Sequence, residues 1–349
     1  MVGEVPAFVP AADLSADFHA EVVQPLLAGR SHAAGLLGWG SDVLGYDTSR
    51  STDHGWGPRL TVFLENAADV AAVAARLERS LPDEFRGWPV RFGWDGVAPR
   101  HHVTVATLPG WLDEFLGLDA TRGMTSLDWL LTPQQRLLGV TAGRVHADDS
   151  GALGAVRRAL RWYPDDVWRW LLACQWQRIA EEEAFVARTA EVGDDTGSAV
   201  IAARLVRDLM RLALLLDRRY APYPKWLGTA FAASNHHDDL PDHLAEALRA
   251  PAAAPREAAL AAAYRTLAVR QNASGLAEPV DPTTRAFHGR PAQVLLAGRF
   301  SEALRATVRD PALRALPLIG AVDQVLDSTP VATSPSLCRQ VAGLYPGIR

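Results

Sequence analysis

Lysine is almost absent from this chain of 349 residues: Lys225 is the only one, against 34 arginines. Together with abundant alanine, this imbalance indicates the codon usage of a high-GC genome rather than a function. Lys225 is either a chance survivor of that drift or a residue whose role arginine cannot fill. Cysteine is also scarce, since only Cys174 and Cys338 occur, far apart and without the spacing of a metal site. We therefore expect a reducing, cytoplasmic environment.

Strong positive charge and long apolar runs are missing as well. The formal net charge of -5 offers no attraction for a phosphate backbone, so we expect no nucleic-acid partner. No segment is long and apolar enough to span a bilayer, and the first residues lack the basic and apolar regions of a signal peptide. A hydrophobic content of 48% with 21% charged residues is typical of a globular protein with a substantial core.

The first part of the chain alternates strand and helix patterns. Its predicted strands are 33–39, 59–65, 89–93 and 101–107, and its predicted helices are 11–28, 67–81, 109–116 and 133–138. The chain is long enough for two domains. We predict an α/β mixed-sheet domain over residues 1–150, with the boundary at about 145–152.

The remainder, residues 151–349, has no strand pattern and predicts an all-α helical-bundle domain. A helix begins at about Pro164, because proline and two acids are typical of a first turn. The other predicted helices are 195–220, 224–233, 239–249, 255–270, 290–308 and 317–327. We expect a cleft between this half and the first.

The stretch 36–65 carries the most specific pattern in the chain. The apolar run 33–39 breaks at Gly40-Ser41, where a glycine lets the backbone approach a ligand and the amides and hydroxyl can face phosphate oxygens. Asp53 and the strand 59–65 follow. Read alone, Gly40-Ser41 is equally a tight turn, and Asp53 is equally a turn-capping residue.

Trp39-Gly40-Ser41 followed by Asp53 resembles the nucleotidyltransferase superfamily pattern of a hydrophobic residue, Gly, Gly or Ser, an intervening segment, Asp, any residue, and Asp or Glu. The longer text resembles a bacterial branch of that superfamily, a domain of unknown function with a nucleotidyltransferase-like domain before a helical one. The segments that carry it are GSD, STDHGWGPRL, LPDEFRGWPVRF and YPDDVWRWLLACQWQRIAEEE. The resemblance implies that Gly40 and Ser41 hold a nucleoside triphosphate, that Asp53 binds Mg²⁺, and that a nucleoside monophosphate passes to a small-molecule acceptor.

The chain departs from this pattern at both remaining acids. The second carboxylate position holds Gly55, and the later strand that supplies a third acid carries Thr104. One carboxylate balances the charge of two divalent ions poorly. Four other acids could substitute, none of them at the expected spacing: Glu65, Asp42, Asp47 and Asp95. Of these, Glu65 is the candidate to complete the metal site with Asp53. The alternative is a catalytically degenerate protein that binds a nucleotide or metabolite.

Aromatic and basic residues near the pattern have two interpretations each. Trp56 and Arg59 are either a base-stacking ring with a phosphate-reaching guanidinium or ordinary packing at the entrance of a strand. His101 and His102 are neighbours on a predicted strand and therefore point to opposite faces, so they do not bind one metal ion together.

A second candidate segment, 220–228, lies in the helical half. Tyr223 is a candidate nucleotide contact, and Lys225 opens a predicted helix whose N-terminus favours anions. The resemblance implies that Lys225 neutralises charge on the triphosphate. Farther along, Asp323 and Asp327 share one face of a predicted helix. They are either substrate contacts in the cleft or part of a solvated face.

Overall fold

The computed structural model describes residues 6–234, 238–290 and 292–348. None of the helices within those ranges has the length and apolar character needed to cross a membrane.

Contacts divide the chain into two compact units. The first, here called the sheet unit, consists of the residues up to Met124 together with Gln135–Arg161. The second, the helical unit, consists of Thr125–Gln134 and the residues from Trp162 onward. The boundary predicted at 145–152 lies inside the sheet unit.

The sheet unit is built on a five-stranded mixed sheet. Its strands and a separate short pair are β1 His32–Gly35, β2 Arg59–Leu64, β3 Glu84–Phe85, β4 Trp88–Pro89, β5 Arg91–Trp94, β6 Val97–Ala106 and β7 Val145–Asp148. The sheet order is β5-β6-β2-β1-β7, and β3 pairs with β4. Strands β2 and β6 run parallel, whereas β1 runs antiparallel to both β2 and β7. The predicted α/β mixed-sheet architecture is confirmed.

The helices account for most of the remaining structure. In chain order they are α1 Ala11–Phe18, α2 Gln24–Leu26, α3 Ala67–Ser80, α4 Leu108–Leu116, α5 Ser126–Leu131, α6 Gln134–Thr141, α7 Ala152–Ala159, α8 Asp165–Glu182, α9 Phe185–Glu191, α10 Asp195–Leu216, α11 Pro224–Ala232, α12 Leu240–Arg249, α13 Ala253–Ala273, α14 Gly298–Ala306, α15 Pro311–Ala315, α16 Val322–Val325, α17 Thr329–Ala332 and α18 Pro335–Gln340. A π-helical turn, His19–Val23, joins α1 to α2.

Strand β2 shows why the sheet forms where it does. Its alternate residues Leu60, Val62 and Leu64 are buried in one core with side chains of α1 and α3. Phe63 faces the other side, where its ring meets Trp111 of α4 edge-on at a centroid distance of 5.4 Å. Helices therefore cover both faces of this strand, and its period of two places Arg59 at the start of the non-core face.

The helical unit packs around its long helices, and the predicted helical half is confirmed. Helix α8 packs against α10 and α14, and α13 packs against α10 and α12. Trp170 and Trp176 on α8 are fully buried, and the Trp176 ring stacks on Phe300 of α14 at 4.8 Å. A two-residue strand pair, β8 Arg285–Ala286 with β9 Gln293–Val294, interrupts the helices.

Three sequence predictions differ from the structure. Strand β1 ends at Gly35 rather than residue 39, because Gly38 and Gly40 have positive φ values of 96° and 127° that no strand continues through. The predicted helix 290–308, whose residue 291 lies outside the described residues, is helical only over α14. The predicted helix 317–327 is helical only over α16.

Candidate functional site

The Gly40-Ser41 turn follows β1 and is fixed by backbone hydrogen bonds. The Gly38 N–H donates to the carbonyl of Gly139 at 2.9 Å, and the Tyr46 N–H donates to the carbonyl of Ser41 at 2.8 Å. The positive φ of Gly40 favours glycine. The structure thus places a defined loop at the predicted phosphate turn.

Asp42 and Arg59 form a two-pronged ion pair against this turn. Arg59 Nε lies 2.8 Å from Asp42 Oδ2, and Arg59 Nη2 lies 2.8 Å from Asp42 Oδ1. Nη2 also donates to the carbonyl of Trp39 at 2.5 Å. Asp42 is buried, and its Oδ1 accepts the Val43 N–H at 3.0 Å. Planar, charge-assisted pairing of this kind holds both groups in a single orientation.

This ion pair explains why position 40 is glycine. A Cβ atom at Gly40 would overlap Asp42 Oδ1 and lie 2.9 Å from Arg59 Nη2. The close approach that the sequence assigns to a ligand is therefore made by the protein's own carboxylate and guanidinium. Arg59 still presents Nη1, which has no hydrogen-bond partner among the residues that the structure describes.

Trp39 is the aromatic residue of this site that sequence reasoning missed. Trp39 is 41% exposed, although residues 33–37 before it are buried. The ring rests on Phe115 with centroids 5.0 Å apart, and the buried Arg136 guanidinium lies 4.7 Å from the ring centroid. Such cation–π and aromatic contacts hold the ring in place while leaving part of its surface open. The feature of the sequence that could have identified Trp39 as a site residue is its position directly before Gly40.

Trp56 was the sequence candidate for base stacking, and the structure places it in the core. The residue is buried, with its ring edge-on to Trp88 at 4.5 Å and tilted against Phe8 at 5.8 Å. Its Nε1 donates to Asp47 Oδ2 at 3.0 Å. The packing interpretation therefore describes Trp56, and the phosphate interpretation stays open for Arg59.

Asp53 lies outside the strands of the sheet. It ends a short 3-10 helix, Ser49–Asp53, which is capped by Thr48. Its side chain is 70% exposed, and its hydrogen bond among the described residues is to His54 Nδ1 at 2.7 Å. The next position, Gly55, has a φ of 64° and open space around it. The structure therefore does not bond Asp53 to Gly40, Ser41 or Arg59.

Glu65 lies at the opposite end of β2 from the Gly40-Ser41 turn. In the antiparallel β1–β2 register, Gly35 sits beside Thr61, whereas His32 sits beside Leu64. Glu65 is exposed just beyond that second pair and accepts a hydrogen bond from Ser31 at 3.2 Å. The structure therefore does not bring together Asp53 and Glu65, which the sequence analysis predicts to bind one ion.

Thr104 occupies the predicted third-acid position on β6 beside Thr61. Within residues 6–234, 238–290 and 292–348, no three His, Cys, Asp or Glu side chains are grouped to hold a metal ion. A divalent cation takes several oxygen ligands at once. The described residues do not fit a Mg²⁺ site built on Asp53 and Glu65.

The paired histidines of β6 point apart, as the strand period predicts. His101 Nε2 lies 2.8 Å from Glu78 Oε2 on α3. His102 packs on the other side, where its ring stacks on Trp94 at 5.2 Å and its Nε2 donates to the Phe92 carbonyl at 2.9 Å. Burial lowers the pKa of His102. In the parallel register of β2 and β6, His102 lies beside Arg59, so a neutral imidazole is next to that guanidinium.

In the helical unit, Lys225 lies in the first turn of α11, close to the predicted helix 224–233, and Tyr223 directly precedes that helix. The Tyr223 hydroxyl accepts a hydrogen bond from Trp226 Nε1 at 2.7 Å, so its oxygen is engaged locally. Lys225 is exposed in the first helical turn, with Nζ 5.0 Å from the Trp226 ring centroid. An exposed ammonium at a helix N-terminus suits an anion. The assignment of both residues to a nucleotide stays a prediction.

Asp323 and Asp327 do not share a helical face, because α16 ends at Val325. Asp323 is partly buried and accepts the Gln134 N–H at 2.7 Å, and the loss of solvent around its carboxylate raises its pKa to about 6. Asp327 pairs with Arg207 at 2.9 Å, which lowers its pKa. Asp323 is thus a capping residue inside the helical unit rather than a solvated acid.

Comparison with known proteins shows similarity to a protein family and to solved structures. Residues 129–227 match the model of a family described as a domain of unknown function, DUF4037. Among solved structures, the chain is similar to a nucleotidyltransferase-like protein from Exiguobacterium sibiricum 255-15, with 12% identity and a TM-score of 0.35 over 74% of this chain and 77% of that one. No curated protein matches this chain. The family match agrees with the predicted resemblance to a domain of unknown function.

Proposed function

We propose that this chain binds a nucleoside triphosphate at the turn after β1 and does not transfer the nucleotidyl group by the metal-dependent route of the superfamily it resembles. The binding residues are Trp39, Gly40, Ser41 and Arg59, here called the β1-end site. This is the degenerate alternative of the two functions that the sequence allows.

The contact between Arg59 and Trp39 supports the first part of the proposal, that a triphosphate binds. The Arg59 guanidinium donates to the carbonyl of Trp39, so a guanidinium and an exposed aromatic ring are attached to the same turn. The Nε and Nη2 donors of Arg59 are engaged by Asp42 and by the Trp39 carbonyl, so Nη1 is the donor left for a phosphate oxygen. Nucleobases stack on exposed aromatic rings whatever their identity. A cation and a ring at one turn suit a ligand that has both phosphates and a base.

The carboxylates support the second part of the proposal, that the nucleotidyl group is not transferred by the metal-dependent route. Gly55 and Thr104 replace two of the three carboxylates, Asp53 is bonded to His54 alone among the described residues, and Glu65 is at the far end of β2. With these residues a cation bound beside the triphosphate would receive few protein oxygens. We therefore expect binding that gains little from Mg²⁺. A cytoplasmic location remains part of this proposal, in keeping with the buried free thiols of Cys174 and Cys338.

Isothermal titration of ATP, GTP, CTP and UTP, each with and without Mg²⁺, tests the proposal. We expect at least one triphosphate to bind, and Trp39→Leu to weaken it by about 1–3 kcal/mol, the usual value of one stacked base, which is roughly 5- to 150-fold in Kd. Phe185→Leu is the matched control, because Phe185 is a similarly exposed aromatic residue of the helical unit.

Two results would count against the proposal. Absence of binding by all four triphosphates, or an unchanged affinity in a folded Trp39→Leu protein, removes the β1-end site. Mg²⁺-dependent release of pyrophosphate by the wild type, in the presence of small hydroxyl or amine acceptors, would instead establish nucleotidyl transfer and end the degenerate interpretation.

A further inference from the structure

A second exposed tryptophan of the sheet unit lies on the side of β2 away from Trp39. Trp94 ends β5 and is 37% exposed, and Trp39 is 41% exposed. Strand β1, which leads to Trp39, lies on one side of β2, whereas β6 and β5 lie on the other. Arg59 begins β2. The two exposed rings therefore belong to segments on opposite sides of the strand that carries Arg59.

His102 connects Trp94 to Arg59. In the parallel register of β2 and β6, His102 is the partner of Arg59, and side chains that are partners in a register project from the same face of a sheet. The Trp94 ring stacks on the His102 ring with centroids 5.2 Å apart and an angle of 28° between the planes. The Trp94 ring therefore lies on the face of the sheet from which the Arg59 side chain projects.

Phe92 holds this imidazole in place. The Phe92 and His102 ring centroids are 4.3 Å apart, and the Phe92 carbonyl accepts the His102 Nε2–H at 2.9 Å. The Phe92 ring also packs against the backbone of Gly57, where an added Cβ would lie 2.6 Å from a ring carbon. The rings of Phe92, His102 and Trp94 are thus fixed against the segment that leads into β2. Groups that are already in position lose little conformational freedom when a ligand binds.

Arg100 adds a second cation to this face of the sheet. It is exposed on β6, two residues before His102, so its side chain projects from the same face of the strand. Burial lowers the pKa of His102, and the positive charges of Arg100 and Arg59 lower it further. The imidazole is therefore neutral between two guanidinium groups, and it offers the face of a ring rather than a charge. This part of the sheet combines cations that suit phosphates with rings that suit an uncharged aromatic group.

We propose that Trp94 and His102 form a second base-binding subsite, and that the protein binds a dinucleoside polyphosphate, in which a chain of phosphates joins two nucleosides. One base stacks on Trp39, and the other stacks on Trp94. The phosphates between the bases contact Arg59 and Arg100. The inference rests on the proposed function for the first base and the phosphates, and it adds the second base. A ligand with negative charge between two aromatic groups matches cations that are flanked by two exposed rings.

Isothermal titration of the wild type compares ligands that have one base with ligands that have two. Diadenosine tetraphosphate is compared with ATP and with adenosine tetraphosphate, which has the same chain of phosphates but one base; the guanosine counterparts are titrated in the same way. We expect the two-base ligand to bind about 5- to 150-fold more tightly than either one-base ligand, the range for one stacked base. A gain of only about twofold would be statistical, because either end of a symmetrical ligand can bind first.

Variants then assign the second base to Trp94. Trp94→Leu should remove the gain of the two-base ligand and lower the affinity for ATP far less, whereas Trp39→Leu should weaken both ligands. Trp94→Phe keeps a ring and should keep most of the gain. Phe185→Leu is the matched control, because Phe185 is 38% exposed in the helical unit, and it should leave both affinities unchanged. Urea unfolding checks that each variant is folded, and the comparison of ligands on the wild type tests the second base even where a variant does not fold.

The outcomes separate this inference from the proposed function. If ATP binds through Trp39 but the two-base ligand gains no more than about twofold, the second subsite is overturned and the proposed function stands. The same holds if Trp94→Leu weakens ATP and the two-base ligand equally, or if it changes neither affinity. If the two-base ligand binds, ATP does not, and Trp94→Leu removes the binding, the inference stands and the proposed triphosphate function fails. If none of these ligands binds, both are overturned.

Discussion

Replacing Gly40 with alanine should destabilise the protein through one identifiable collision. The added Cβ would overlap Asp42 Oδ1, so the carboxylate has to leave the position in which it pairs with Arg59 and accepts the Val43 N–H. The residue would also adopt a φ near 127°, a value that side-chain-bearing residues rarely adopt.

The two contributions set the expected magnitude. Backbone strain of this kind costs of order 1–3 kcal/mol. Breaking a buried ion pair by removing one partner costs about 3–5 kcal/mol. In Gly40→Ala the carboxylate is displaced rather than removed, so part of the ion-pair interaction is kept and the cost is smaller. We expect Gly40→Ala to lower the free energy of unfolding by about 3–5 kcal/mol in total.

A double-mutant cycle with urea unfolding separates the collision from the strain. In an Asp42→Ala background the added methyl group meets no carboxylate, so Gly40→Ala should then cost about 1–3 kcal/mol, the strain alone. Gly45→Ala is the matched control, because Gly45 lies in the same loop at a φ of 71° with no atom near its Cβ position.

Two results would refute this reasoning. One is a Gly40→Ala cost no larger than that of Gly45→Ala. The other is a cost that persists unchanged when Asp42 is already alanine. Either would mean that the contact with the carboxylate is not what requires glycine. A practical consequence is that Gly40 variants are poor probes of ligand binding, whereas Trp39 and Lys225 are exposed and suit that purpose.

Three further outcomes are expected. Trp56→Phe should lower the free energy of unfolding by about 1–3 kcal/mol in urea titrations, since it leaves Asp47 Oδ2 without its indole donor. If Lys225 contacts a triphosphate, as the resemblance implies, Lys225→Ala should weaken binding by about 1–3 kcal/mol in calorimetry, while Arg249→Ala, which removes another exposed helical cation, should not. Equal effects of the two substitutions would mean that Lys225 is a chance survivor of codon drift. Burial raises the pKa of Asp323 to about 6, so its contribution to stability is greatest below the ordinary Asp pKa and lost as pH rises through 6; Asp323→Asn should be relatively more stable at pH 7.5 than at pH 4.5, and an unchanged difference would contradict that.

The sequence predicted best those elements in which apolar residues keep one period over the whole length. Helices α3 and α10 and strand β2 repeat apolar residues at one period over their whole length and were predicted within a few residues. Strand β7 was missed because its four residues, Val145–Asp148, read as a polar linker. Pairing with β1, rather than its own composition, makes it a strand. The fold class was therefore predictable, and the sheet's edge was not.

The candidate site was predictable only in part, and the two tryptophans show why. Trp56 lies in the motif and looked like a ligand contact, yet neighbours distant in sequence, Phe8 and Trp88, enclose it. Trp39 looked like the last residue of a buried strand, yet positive φ values turn the chain and leave its ring exposed. Exposure depends on tertiary neighbours, and no local pattern encodes those.

The position of β7 determines which truncated fragments of the chain keep strand β1 paired on both sides. Strand β1 bonds to β7 along the edge opposite β2, and β7 arrives only after the chain has left the sheet unit at Thr125 and returned at Gln135. A fragment that stops before Val145 would leave one side of β1 with unpaired N–H and C=O groups flanking Ala33 and Ala34. Unpaired strand edges recruit strands from other molecules. Fragments ending near residue 124 should therefore aggregate, whereas fragments that continue through Arg161 keep that edge covered.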